Sequence, residues 1–214
     1  MKISTEGLVA LIAHEGIVQS RYKDSVGVWT IGVGHTKAAG GLNPETFTGT
    51  LTVAQIMDLL RTDIVKYENG VNAAVKVPLK QHEFDALVSF HYNTGAIGKA
   101  TLTKSLNAGK KTQAGAEFMN WVKPPEIKGR REAERDLFLT GKYPAPYGNL
   151  YPASAAGVVQ WSKGKRVDIK ALLGASTVPA PEPVEPTTPV PTEPKQTLWG
   201  AIAALILSIV GPKK

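Results

Sequence analysis

Cysteine is absent from all 214 residues. That excludes disulfide bracing, thiolate-bound zinc and a thiol nucleophile, and it leaves the fold indifferent to redox compartment. Aromatic residues make up only 7% of the chain. No Lys/Arg run interleaves with them and no zinc-finger or RNP spacing occurs, so no nucleic-acid partner is expected. No Gly-x-Ser-x-Gly stands anywhere, which removes the serine-hydrolase elbow. His82 and His91 are nine positions apart, whereas zinc hydrolases place two histidines four apart on one helical face, so neither a metal nor another cofactor is expected. A secretory leader needs a basic start, an apolar run of about 7–15 residues and a small-residue cleavage site. Here "LVALIA" stops at His14 and Glu15, which predicts a mature N-terminus and synthesis in the cytoplasm.

What is present is an ordinary core composition, 43% apolar, with a formal charge of +7. The chain beyond Ala175 holds as many Lys as Glu, so the excess belongs to the preceding part. A basic domain favours polyanionic partners such as an anionic membrane or the phosphate- and carboxylate-bearing bacterial envelope.

Leu8, Leu11 and Ile12 recur at helical spacing over Thr5 to Glu15, with Ser4 or Thr5 as a cap and Gly16 as a stop. Glycines then punctuate a shorter period from Ser20 to Val33, which predicts a small hairpin turning near Ser25-Val26-Gly27. Thr52 and Gln55 form a capping box that opens a helix lasting to about Asn69-Gly70. Further helices are expected at about 80–93, 102–108, 112–121 and 128–140, with a short last one near Arg166 to Leu173. The expected fold is α+β: a mainly helical domain over 1–174 with one small antiparallel sheet near its N-terminus. From Ser176 to Pro194 seven prolines stand among Thr, Val, Ala and Glu. That composition predicts a stiff extended linker over 175–197.

Glu15 closes the apolar stripe of its own helix. Lost hydration would favour its protonated form, which a general acid requires, although a helix-terminal Glu is commonly just solvated. Asp24 falls where the hairpin turns, a polar place in which it would stay ionised, so the two carboxyls would divide into acid and base. A turn Asp alone is ordinarily an Asx-turn former, and Thr30 alone an ordinary strand residue. Their joint spacing is what singles them out. Gly27, Gly32 and Gly34 either let a ligand approach the backbone closely or supply positive φ in a cramped hairpin.

Glu15, eight residues, Asp24, five residues, Thr30 and then "GVGHT" at Gly32 to Thr36 resembles the signature of the phage-type lysozymes, glycoside hydrolase family 24. "QHEFDALVSFHYNTG" at Gln81 to Gly95 resembles that family's central helix, and "GRREAERDLFLTG" at Gly129 to Gly141 its Arg-Arg-x-x-Glu helix. The resemblance implies a lysozyme-like fold and an inverting muramidase that cuts the β-1,4 bond between N-acetylmuramic acid and N-acetylglucosamine in peptidoglycan. It implies Glu15 as general acid, and Asp24 with Thr30 as the pair that positions and activates water. Inverting carboxylates stand about 6.5–9.5 Å apart. Asn93, Arg130 and Arg131 become substrate or structural contacts by analogy, and Gly34 and His35 further candidate substrate contacts, although His35 also reads as a structural hydrogen-bonding partner. Val33 departs from the aromatic or isoleucine common at that place. The implied protein is a monomeric endolysin held in the host bacterial cytoplasm until lysis and released with the help of a holin. The alternatives are a non-cutting peptidoglycan-binding module, a lytic transglycosylase, and membrane disruption by the tail itself.

That tail, 198–214, has an apolar run from Leu198 to Val210 that ends in Lys213-Lys214. As a helix it would span about 20 Å against about 30 Å of bilayer hydrocarbon. Trp199 and the lysines occupy the ends, as interfacial residues do. Membrane contact through 198–210 is the expectation, with docking on a protein surface as the alternative.

Overall fold

The computed structural model describes residues 1–24 and 26–174. The linker and the tail expected from the sequence lie outside the described residues. Among those described, no helix is long and apolar enough to cross a membrane.

Helix α1 spans Thr5–Glu15, capped by the Ser4 side chain, which accepts from Gly7 N at 3.0 Å. The chain then enters β1 (Ile17–Lys23), turns, and returns as β2 (Trp29–Gly32) and the short β3 (His35–Thr36), each antiparallel to the last. Tyr22 stands opposite Thr30, and a register irregularity between Val18 and Tyr22 bends β1. The expected hairpin is therefore present.

The sheet does not stop there. Strand β4 (Tyr147–Tyr151) runs parallel to β1, and β5 (Lys165–Asp168) pairs antiparallel with β4, giving the order β3-β2-β1-β4-β5. The helix expected from Arg166 to Leu173 is accordingly corrected. Arg166 and Val167 are paired to Asn149 and Gly148 in the ladder, and only Ile169–Gly174 is helical, as α7. Local propensity could not show that pairing, because its partner strand is made elsewhere in the chain.

Helix α2 (Val53–Ala74) opens on the capping box: Gln55 N donates to Thr52 Oγ1 at 3.2 Å, and Thr52 N to Gln55 Oε1 at 2.8 Å. It runs past its expected end at Gly70. A Cβ at Gly70 would stand 2.4 Å from His91 Nε2, so this glycine admits a neighbouring helix instead of ending its own. The remaining helices are α3 (Gln81–Thr94), α4 (Thr101–Asn107), α5 (Lys111–Ala116) and α6 (Lys128–Thr140). The helix expected over 112–121 is split, since Glu117–Trp121 tightens into a 3-10 turn.

Helix α3 is the axis, packed by α1, α2 and α6. Every residue from Glu83 to Tyr92 is buried, so its polar members need partners. Glu83 meets Lys111 Nζ at 2.8 Å, Ser89 Oγ donates to Glu134 Oε1 at 2.7 Å, and Asp85 accepts from Ser4 N at 3.0 Å and Tyr143 OH at 2.7 Å. The last contacts draw α1 so close that a Cβ on Gly7 would stand 2.5 Å from Asp85 Cγ. Gly7→Ala is therefore expected to lower the unfolding free energy by about 1–3 kcal/mol through overpacking, although helix propensity alone would raise it by about 1 kcal/mol. Gly129→Ala in α6, with nothing within 4 Å of the added Cβ, should raise it by about 0.4–1 kcal/mol. Urea denaturation of the two variants checks the opposite signs.

Candidate active site

Glu15 is the last residue of α1 and is 2% exposed. Gly16 ends the helix at φ +73, and a Cβ there would stand 2.9 Å from the Tyr151 ring. Only glycine suits the turn that releases the chain into β1. The apolar surroundings expected for the carboxyl are corrected by a cation: Arg130 Nη1 donates to Glu15 Oε1 at 2.5 Å. Oε2 is buried and has no hydrogen-bond partner among the described residues.

Arg130 is also held by Glu134, Nε to Oε1 at 2.9 Å, and by Ser89 O at 3.1 Å. Arg131 reaches the other oxygen of Glu134, Asn93 Oδ1 and the Trp121 carbonyl. Burial pulls the Glu134 carboxyl upward, but Arg131 and Arg130 outweigh it and hold its pKa below the usual range. His14, beside this network, is pushed down to about 4, by burial first and then by Arg130. It stands neutral at pH 7.

Asp24 closes the turn after β1. Its Oδ1 accepts from Val26 N at 3.0 Å and Val28 N at 2.8 Å, so it is an Asx-turn former as well as a site candidate. It lies at the polar turn position expected, but half-buried rather than fully solvated. Half-burial raises its pKa, and the amides of Val28, Val26 and Gly27 oppose that only in part. Thr30 is 2% exposed and donates to Val28 O at 3.1 Å. Opposite Thr30 stands a residue that sequence reasoning missed. Tyr22, 1% exposed, has its phenol raised by burial first and then by the charges of both Glu15 and Asp24. Tyr22 stands across the strand pair from Thr30. The available signal was alternation, which puts residue 22 on the same strand face as residue 24.

The secondary candidates lie on β3, in the turn before it, on α3 and on α6. His35 is 1% exposed, with Nδ1 at 2.9 Å from Asp63 Oδ2 and Nε2 at 2.8 Å from Leu42 O. Gly34 is buried in the β2–β3 turn at φ +74, facing the Tyr92 hydroxyl. Arg131 is 1% exposed and Asn93 receives its guanidinium. All have structural partners. Among the described residues, no cluster of three His, Asp or Glu is placed to hold a metal.

A buried carboxyl at the end of a helix that leads into a hairpin carrying a second carboxyl and a hydroxyl, on a mainly helical α+β frame, fits the class of lysozyme-like glycoside hydrolases. The description "Phage lysozyme" belongs to the family model that matches residues 12–134. The endolysin of Acyrthosiphon pisum secondary endosymbiont phage 1 is 38% identical over 149 residues, covering 64% of this chain and 98% of that protein. The solved endolysin from Escherichia coli O157:H7 phage FAHEc1 is 36% identical with a TM-score of 0.61, covering 67% of this chain and 97% of that one. The muramidase domain of SpmX from Asticaccaulis excentricus is 32% identical with a TM-score of 0.57, covering 65% of this chain and 98% of that one. The chain belongs to the phage lysozyme family.

If Arg131 is structural, Arg131→Ala leaves Glu134 buried with one cation fewer and should cost about 3–5 kcal/mol of stability. A substrate contact would instead raise KM and leave the melting temperature alone. Thermal unfolding beside steady-state kinetics separates the two.

Proposed function

We propose that this protein is an endolysin that hydrolyses the β-1,4 bond between N-acetylmuramic acid and N-acetylglucosamine in bacterial peptidoglycan. Glu15 protonates the glycosidic oxygen as the bond breaks. Asp24, with the Thr30 hydroxyl, holds a water and takes its proton as it attacks the opposite face of the sugar, which inverts the anomeric centre. The observation that supports this reading is a buried Glu15 whose Oε2 lacks a partner among the described residues, at the end of the helix that leads into the hairpin carrying Asp24 and Thr30. A binding-only module has no chemical need for that set, and a transglycosylase needs no held water. The basic charge of the domain draws it to an anionic wall. The protein acts as a monomer, accumulates in the host cytoplasm and reaches the wall at lysis. The linker 175–197 and the tail 198–210 serve as a spacer and a membrane contact. Membrane flotation of full-length protein beside a version ending at Pro194 tests that role, and equal behaviour of the two would refute it.

Glu15→Gln and Asp24→Asn are each expected to lower turnover about 10²–10⁴-fold. Mass analysis of fragments released from purified peptidoglycan should show reducing-end disaccharide products with wild type, and anhydro ends would instead indicate a transglycosylase. The raised pKa of Asp24 also has a sign. Folding favours its protonated form, so its charge weakens the fold above the folded pKa, and the effect vanishes below the ordinary value of 3.8. Asp24→Asn, which retains the acceptor for the turn, should therefore raise the melting temperature at pH 7, with the gain disappearing in acid. Thermal unfolding across pH checks this.

A further inference from the structure

A second tight turn lies against the one that carries Asp24. The segment that leaves β4 folds back on itself: Ala153 bridges Val159, Ser154 N donates to Val158 O at 2.8 Å, and Gly157 N donates to Ser154 O at 2.9 Å. Ser154 Oγ accepts from Val158 N at 3.2 Å. The tip of this small hairpin docks on the end of β1, where Lys23 N donates to Gly157 O at 2.8 Å. The next residue is Asp24, and its turn closes through Asp24 N donating to Val28 O at 3.0 Å.

The fit admits no side chain at the tip. Gly157 has φ +79, and a Cβ there would stand 2.6 and 2.8 Å from carbons of the Trp29 ring and 3.4 Å from Lys23 N. Trp29 is the cross-strand partner of Lys23. At the base of the hairpin, Val159 is 8% exposed and packs in a small apolar cluster with Val18 and Tyr22. One short segment thus touches the residue before Asp24 with its tip and packs on Tyr22, the cross-strand partner of Thr30, with its base. The Asp24 turn is closed by its own hydrogen bonds, but its described residues Val26, Gly27 and Val28 are exposed, and an isolated two-stranded tip is marginal in water.

We infer that the hairpin Ala153–Val159 is a positioning strap that holds the Asp24 turn at its working place relative to Glu15. It rests on the assignment of Asp24 made above. It lies outside residues 12–134, the stretch that matches the phage lysozyme family model. A displacement of about 1 Å in a catalytic group costs about a hundredfold in rate, so holding this turn is worth a dedicated segment.

The test is a double-variant cycle on full-length protein, with peptidoglycan as substrate and thermal unfolding as the folding control. Gly157→Ala is expected to lower kcat about 10–100-fold with KM within about twofold. Combined with Asp24→Asn, Gly157→Ala should add less than about a twofold further loss, because the group it positions is already gone. Ser154→Ala, which loosens the tip without a clash, should show a smaller loss with the same non-additivity, and it decides the matter if Gly157→Ala does not fold. Val158→Ala, at a side chain 61% exposed, should behave as wild type. Wild-type kcat in a folded Gly157→Ala, or a loss that multiplies in full onto Asp24→Asn, would overturn the strap. Wild-type turnover by Asp24→Asn would overturn the site assignment itself and the strap with it.

Discussion

The ion pair between Arg130 and Glu15 is the contact on which the rest of the arrangement depends. It joins α6 to the C-terminus of α1 across 115 positions of sequence, at 2.5 Å and with both side chains almost fully buried. A carboxyl in that place without a cation would carry an uncompensated desolvation cost. Arg130 is in turn oriented by Glu134 one helical turn along and by the backbone of α3 at Ser89. Such a buried network adds little net stability over an apolar equivalent, but it permits one geometry. That geometry fixes the Glu15 carboxyl at the end of α1, with Oε2 buried and without a hydrogen-bond partner among the described residues.

The two carboxyls are distinguished by their partners rather than by apolar against polar surroundings. Glu15 has a guanidinium, whereas Asp24 has backbone amides from its own turn. The first partner is rigid because α6 and α3 are packed. The second is only as rigid as the turn, and the turn sits at the exposed end of a short strand pair. This difference makes the neighbourhood of Asp24, rather than of Glu15, the place where additional contacts bear on the position of the carboxyl.

That additional structure comes from the far end of the described chain. β4 lies parallel to β1, with Ile17 beside Leu150 and Val18 beside Tyr151. The pairing seats the segment after β4 against the Tyr22 side of the hairpin, and Gly16 and Gly157 allow the close approaches to Tyr151 and Trp29. α7 then returns to α1 and α2 and closes the core with Ile169 and Leu173. The C-terminal elements are thus part of the same packed body as the site.

The amino-acid sequence by itself determined the features that depend on neighbours a few positions away. The Ser4 cap and Gly16 stop of α1, the capping box of α2, the hairpin and its turn, and the spacing of Glu15, Asp24 and Thr30 all follow from local hydrogen bonding, periodicity and glycine placement. Tertiary structure decided what depends on distant partners. Arg130 against Glu15, burial of His35 and Arg131 away from solvent, continuation of α2 through Gly70 because His91 lies there, and strand rather than helix at Arg166 each require a residue that only folding brings near. Secondary structure is written in short-range geometry, whereas the surroundings of a charge are set by whatever the completed core packs against it.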